Sequence, residues 1–376
     1  MAAGRKQKLL RSNILPTRLY KLLSIFLIKE RTFLMIVMLC FVTAAFATPY
    51  PQVAMWVGFL FAAYSATAND SIQTIGTFLV SNLQRKWYVL WAYIAAIFVV
   101  TAVYSWWAYG GDVSYQRLQT PGLDEAPHQF EFLQIAAPIF LLILTRMRMP
   151  VSTTFLLLSI FSTKASGILG MLEKSAFGYL IAFGTSILIY TLLSGLLKRM
   201  LRGEAHPAWV VAQWLSSGAL WAVWIMQDAA NIAVFLPRSL EFWQLLLFLV
   251  VFVAGIGLLF FMKGDRIQEI VNEKTAVTDV RSATVIDFVY AVILFVFKNM
   301  SNVPMSTTWV FIGLLAGREI GMHVMTPSTH RKPLSKLLQM VGKDIMLALI
   351  GLVVSIILAV SINPNLKREL IQALGL

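Results

Sequence analysis

Two acids stand in otherwise apolar surroundings, Asp70 in "ATANDSIQTIGT" and Asp228 in "IMQDAANIAVF". A carboxylate in hydrocarbon is costly, so an intramembrane acid marks a site by default. Each acid has an amide just before it, Asn69 or Gln227, and another three positions on, Gln73 or Asn231. Residues at i and i+3 share a helix face. A carboxylate joined by amide carbonyl oxygens is a hard ligand set, suited to a small hard cation. Asp70 with Gln73, and Asp228 with Asn231, are therefore two candidate cation clusters. One such motif alone reads equally well as glue between helices. The matched pair favours the ionic reading.

A second pair of segments follows the first. "MPVSTTFLLLSI" begins at Met149 and "VPMSTTWVFIGL" at Val303. Proline suits the first turn of a helix. It would leave the next N–H groups free beside Ser152, Thr153 and Thr154, or beside Ser306, Thr307 and Thr308. A helix N-terminus with free donors attracts anions. Two of them facing each other would hold a small oxyanion with no Arg or Lys in the site. The competing reading is that these hydroxyls bond their own helix or let helices pack closely.

The elements that position these groups follow from composition. The chain has 376 residues, 58% hydrophobic and 13% charged, against about a quarter charged in soluble domains. That places it among polytopic membrane proteins. Apolar runs have the length of membrane-crossing helices; no alternating pattern of barrel strands is present. Spans are expected near 33–48, 51–68, 88–109, 130–145, 176–197, 208–226, 240–262, 283–298 and 343–362. Between them, 69–84, 150–172, 227–238 and 304–322 are too polar or short for spans and read as broken helices or re-entrant hairpins. Such backbone is tolerated only inside protein or along a cavity.

The net charge of +13 sits at span ends, which indicates anionic headgroups and cytoplasmic flanks, with no nucleic-acid module. Residues 1–32 carry eight basic residues against Glu30 and are expected in the cytoplasm. Leu15, Leu19, Leu22, Leu23 and Phe26 there have the spacing of an amphipathic helix on the lipid surface; a plain charged lead-in to the first span is the alternative. "AFA" at 45–47 resembles a cleavage site, but the long preceding segment favours a retained first span. Residues 110–128 hold one basic residue, Arg117, and read as external; 263–281 hold four and read as cytoplasmic.

The two acids are 158 residues apart and the two Pro-x-Ser-Thr-Thr prolines 154 apart, in the same order. The connecting loops read as lying on opposite sides of the membrane. The fold class expected is thus an all-α polytopic membrane protein with two inverted repeats, 33–200 and 201–362, and a C-terminal tail at 363–376. Glu131 and Asp287 precede the two hydroxyl segments and read as either relay carboxylates or span-end residues. His128, His206, His323 and His330 have no metal-ligand spacing, Cys40 is alone, and no nucleophile–base pair suggests an enzyme.

At "TANDSIQ" (67–73) and "MQDAANI" (226–232), each followed by Pro-x-Ser-Thr-Thr, the chain resembles the inorganic phosphate transporter (PiT) family. These are sodium- or proton-coupled phosphate symporters, and the family includes bacterial sulfate permeases. The resemblance covers roughly 51–330. It implies an oxyanion site formed by Asn69, Ser152, Thr153, Thr154, Gln227, Ser306, Thr307 and Thr308. It implies Na⁺ as coupling ion beside Asp70, Gln73, Asp228 and Asn231, and a homodimer in a bacterial inner membrane. Gln73 and Gln227 replace signature asparagines, and Phe155 and Trp309 stand where a His is common. The expected function is sodium-coupled symport of phosphate. Sulfate transport is the alternative within the family, and a receptor or assembly protein on a degenerate transporter scaffold is the alternative outside it.

Overall fold

A computed structural model describes residues 30–82, 84–147, 149–192, 195, 199–200, 203–261, 279–325, 333–363 and 366–369. The expected N-terminal amphipathic helix, most of loop 263–281, His330 and the end of the tail lie outside the described residues. Among those described there is helix and no strand. The helices are α1 (Arg31–Ala47), α2 (Pro51–Thr74), α3 (Gly76–Ser81), α4 (Trp87–Ala108), α5 (Phe132–Arg146) and α6 (Thr153–Phe161). They continue with α7 (Ala165–Leu192), α8 (Ala208–Ala233), α9 (Phe242–Phe261), α10 (Val280–Met300), α11 (Thr307–Met325) and α12 (Leu334–Ile362). Six of them (α4, α7, α8, α9, α10 and α12) are long and apolar enough to cross a bilayer. Their outer faces carry large exposed apolar side chains such as Trp107, Leu192 and Val250, which suits contact with lipid.

Two expectations need correction. The acid motifs do not sit in broken helices: α2 runs unbroken through Asp70 to Thr74, and α8 through Asp228 to Ala233. Their amides bond side chains rather than compete for the backbone, so the helices persist. The first break comes only at Ile75 (φ −112°, ψ 0°), before α3. Similarly, 304–322 is no hairpin, because α11 is one continuous helix. In the first half the expected re-entrant turn is present: α6 has nine residues, too few to cross, and reverses into α7 at 162–164.

The contacts reveal a two-fold internal relation. Helices α2, α4, α5, α6 and α7 correspond to α8, α9, α10, α11 and α12. α2 packs on α5 as α8 packs on α10, and α6 packs on α12 as α11 packs on α7. Corresponding helices run antiparallel. Gly58 of α2 lies against Phe235 beyond the end of α8, while Asn82 Nδ2 after α3 donates to Gln213 Oε1 early in α8 at 3.0 Å. In α4 and α9, Trp87 meets Phe261, Phe98 stacks on Phe252, and Trp106 meets Phe242. The repeats are therefore inverted, as the loop charges require. α1 has no counterpart in this scheme.

The 109–131 connection leaves the end of α4 that touches the start of α9, so it lies opposite the segment that leaves the end of α9. Single cysteines at Gln119 and within 263–278, with Cys40 replaced, should react with an impermeant thiol reagent from opposite sides of the membrane. Equal labelling of both from one side would contradict the inverted arrangement.

Candidate functional site

The two acid motifs and the two hydroxyl segments meet at the centre of the bundle. Asp70 and Asp228 are fully buried, at 0% and 1% exposure. Thr153 Oγ1 donates to Asp70 at 2.8 Å, and Thr307 Oγ1 donates to Asp228 at 2.6 Å. Asn69 Nδ2 donates to Asp70 at 2.8 Å, and Asn231 Nδ2 donates to Asp228 at 2.8 Å. The second threonines reach across the repeats. Gln73 Nε2 donates to Thr308 Oγ1 at 3.0 Å, and Asn231 Nδ2 to Thr154 Oγ1 at 3.3 Å. Thr154 also donates to Met305 O and Thr308 to Val151 O, a further mirrored pair. The internal two-fold seen in the helices thus continues down to single hydrogen bonds.

The serines play a different part. Pro150 and Pro304 stand two residues before Ser152 and Ser306, not in the first helical turn. Ser152 is the N-cap of α6, where its Oγ accepts from Phe155 N at 3.2 Å. Ser306 Oγ accepts from Trp309 N at 3.2 Å at the start of α11. A serine at this position satisfies a donor the helix leaves open. Ser152→Ala should therefore lower stability by about 1 kcal/mol, read as a fall in the thermal midpoint; no fall would mean the cap is dispensable.

Gln227 breaks the symmetry. Asn69, its counterpart, holds Asp70, but Gln227 Nε2 donates to Leu294 O of α10 at 2.9 Å. The extra methylene carries the amide past its neighbouring acid. Three amide oxygens of the acid motifs, Gln73 Oε1, Gln227 Oε1 and Asn231 Oδ1, are buried with no donor. Buried carbonyl oxygens rarely lack a partner. Beside two carboxylates they form an oxygen-only set that fits a sodium ion.

Access is one-sided. A cleft of about 70 Å³ runs past Asn69, Gln73 and Thr308 to Glu319, Met340 and Asp344, between α11 and the start of α12. Towards the other end, Phe130, Phe161 and Phe235 close the way with centroids 4.8–6.3 Å apart. Phe155 and Trp309, in place of the histidines, meet at 5.6 Å just past the two caps.

Arg117 is a site residue that loop-charge counting missed. It is wholly buried. Its guanidinium donates to Ser301 O at 2.5 Å, Val303 O at 3.3 Å, Met226 O at 3.4 Å and Lys298 O at 3.4 Å. A residue of the first repeat thereby grips the chain that leads into the second hydroxyl segment. The approach is strained: Tyr115 and Gln116 have φ of 54° and 63°, held by Asp112, whose carboxylate accepts from Ser114 N and Gln116 N at 2.7 Å. Burial lowers the guanidinium to about 10, with Asp228 acting in the opposite sense, so it stays charged at neutral pH. Arg117→Ala should cost about 3 kcal/mol by stripping buried carbonyls of donors. The thermal midpoint of the purified variant checks this, and an unchanged midpoint would remove Arg117 from the holding role.

No family model and no curated protein matches the chain. Its fold is similar to a solved structure described as "The sodium-dependent phosphate transporter", with a TM-score of 0.54 and 16% identity. The similarity covers 85% of this chain and 98% of that one. The fold of a polytopic helical transporter follows from it.

Proposed function

We propose that this protein is a secondary transporter that moves a tetrahedral inorganic oxyanion, phosphate before sulfate, together with Na⁺. The observation that carries this is the mirrored centre: two buried carboxylates, each bonded by a threonine of its own repeat, with three amide oxygens lacking donors. Asp70, Gln73, Asp228 and Asn231 hold the cation. Its charge offsets that of the carboxylates, which are otherwise too costly to keep ionised there. Asn69, Thr153, Thr154, Thr307 and Thr308 supply hydroxyl and amide donors at the helix N-termini for the anion. Ser152 and Ser306 fix those termini, and Gln227 supports the site from α10. The preference for phosphate rests on chemistry. Phosphate at neutral pH keeps a proton it can donate to a carboxylate, and sulfate does not.

Inverted repeats around a central site are the usual frame for alternating access. The cleft beside α11 and α12 supports a conformation accessible from one side, closed on the other by Arg117 and the phenylalanines. The charge on the loops puts the open side in the cytoplasm.

Proteoliposomes loaded through an inward sodium gradient test the reading. Labelled phosphate should accumulate with the gradient and not without it. Accumulation of sulfate in its place would move the substrate assignment. Uptake indifferent to sodium would remove the coupling ion. Uptake of neither anion would favour the receptor or assembly reading.

A further inference from the structure

A third acid lies buried away from the central clusters. Asp287 of α10 is 1% exposed. Thr77 Oγ1 of α3 donates to its Oδ1 at 2.7 Å, and Ser217 Oγ of α8 donates to its Oδ2 at 2.5 Å. Three helices thus deliver one carboxyl and two hydroxyls to one point. The first repeat has nothing equivalent: α5 contains no acid, and Glu131 is the exposed cap of that helix, exchanging hydrogen bonds with Gln134. Among the described residues no Lys, Arg or His comes within 4.0 Å of Asp287. A carboxylate held only by two neutral hydroxyls is a poor guest in a membrane interior.

Either a metal cation or a proton could neutralise it, and the surroundings separate the two. At the central clusters, amide oxygens stand without donors. Around Asp287 the nearest carbonyl groups are taken. Gln213 Oε1 accepts from Asn82 at 3.0 Å, and Thr77 O accepts from Gln213 Nε2 at 3.5 Å. A metal ion would find two carboxyl oxygens, two hydroxyls and little else. A proton needs only what is there. It turns the carboxyl into a group that accepts from one hydroxyl and donates to the other.

A polar route leads from this point to the cleft. Tyr190 of α7 is within electrostatic reach of Asp287, and of Arg318 and Glu319 on α11. Arg318 pairs with Glu319 at 3.1 Å, and Glu319 lines the cleft. The remaining ionisable groups nearby on α10 are Arg281, bound to Asp279, and Tyr290, whose OH donates to Thr307 O. Neither α3 nor α8 presents a titratable group here.

We propose that Asp287, with Thr77 and Ser217, is a proton-binding site separate from the two cation clusters, loaded from water in the cleft past Glu319, Arg318 and Tyr190. Loading forms one O–H bond on the carboxyl and removes one negative charge; unloading reverses both. Its use in transport rests on the transporter reading above, whereas the protonation itself does not.

Infrared difference spectra of the full-length protein in lipid, compared with Asp287→Asn, test the protonation. At neutral pH with sodium present, the parent should show the carbonyl stretch of a buried, protonated carboxyl. The band should vanish in Asp287→Asn and move in Ser217→Ala, which loses one hydrogen bond; the second variant decides the matter if the first does not fold. Absence of the band in the parent, its persistence unmoved in the variants, or its emergence only when sodium is withdrawn would overturn the proposal. A luminal pH dye in phosphate-loaded proteoliposomes tests the transport role. Asp287→Asn should move fewer protons per phosphate than the parent, and an equal ratio would overturn that role while leaving the spectra to decide the site.

Discussion

Asp228→Asn should abolish sodium-driven accumulation of labelled phosphate and leave the protein folded. The substitution keeps the shape of the side chain and removes its charge. Neutralising a buried acid removes a desolvation cost, so the fold has no reason to fail. Thr307 and Thr154 can still bond the new amide oxygen, since both now face an acceptor on the same carbon skeleton. What disappears is the counter-charge for a cation. Asp70→Asn should behave alike, because Thr153 and Asn69 mirror those contacts. Folded variants that still concentrate phosphate would show that the carboxylates are not the coupling groups.

Gly317→Val should prevent stable assembly of the two repeats. A Cβ at Gly317 would stand 2.2 Å from Phe183 O and 3.0 Å from Ser186 Cβ. The first obstacle is backbone of α7, which cannot swing aside as a side-chain tip can. Gly313 and Gly321, one turn to either side, face α7 as closely, at Tyr179 and Ile187. Small residues four apart let membrane helices approach to backbone contact. Separating α7 from α11 should cost about 3 kcal/mol, at the upper end of overpacking penalties, or roughly a hundredfold in the folding equilibrium. Thermal unfolding of the purified variant reads this directly. A parental midpoint would mean that α7 and α11 part without penalty.

The comparison of sequence with structure is uneven for physical reasons. Asp70, Asp228 and the threonines were legible because each motif occurs twice, and chance rarely repeats an acid within a membrane span. The inverted arrangement was legible in the Lys and Arg of the loops. The start of α7 and the continuity of α11 were not, since polar residues such as Lys174 and Arg318 interrupt the apolar pattern while the helix continues around them. The spacing "GLLAGREIG" at 313–321 does carry the signal of close helix packing, and weighing it would have argued against a hairpin there. Arg117 left no such trace. Its burial depends on two residues with positive φ and on carbonyls more than a hundred positions away. Gln227 likewise cannot be read alone, because its partner, Leu294 O, belongs to another helix.

The claim that matters most is that the central carboxylates bind sodium, and the thermal midpoint of the purified, full-length protein over a sodium series, at constant ionic strength in potassium, tests it without any transport assay. A ligand that binds only the folded state at a hundred times its Kd stabilises by about 2.7 kcal/mol. The parent midpoint should rise with sodium and level off. Asp70→Asn should retain part of the rise and Asp70→Asn with Asp228→Asn none of it. A double variant whose midpoint still climbs with sodium as the parent's does would contradict the account.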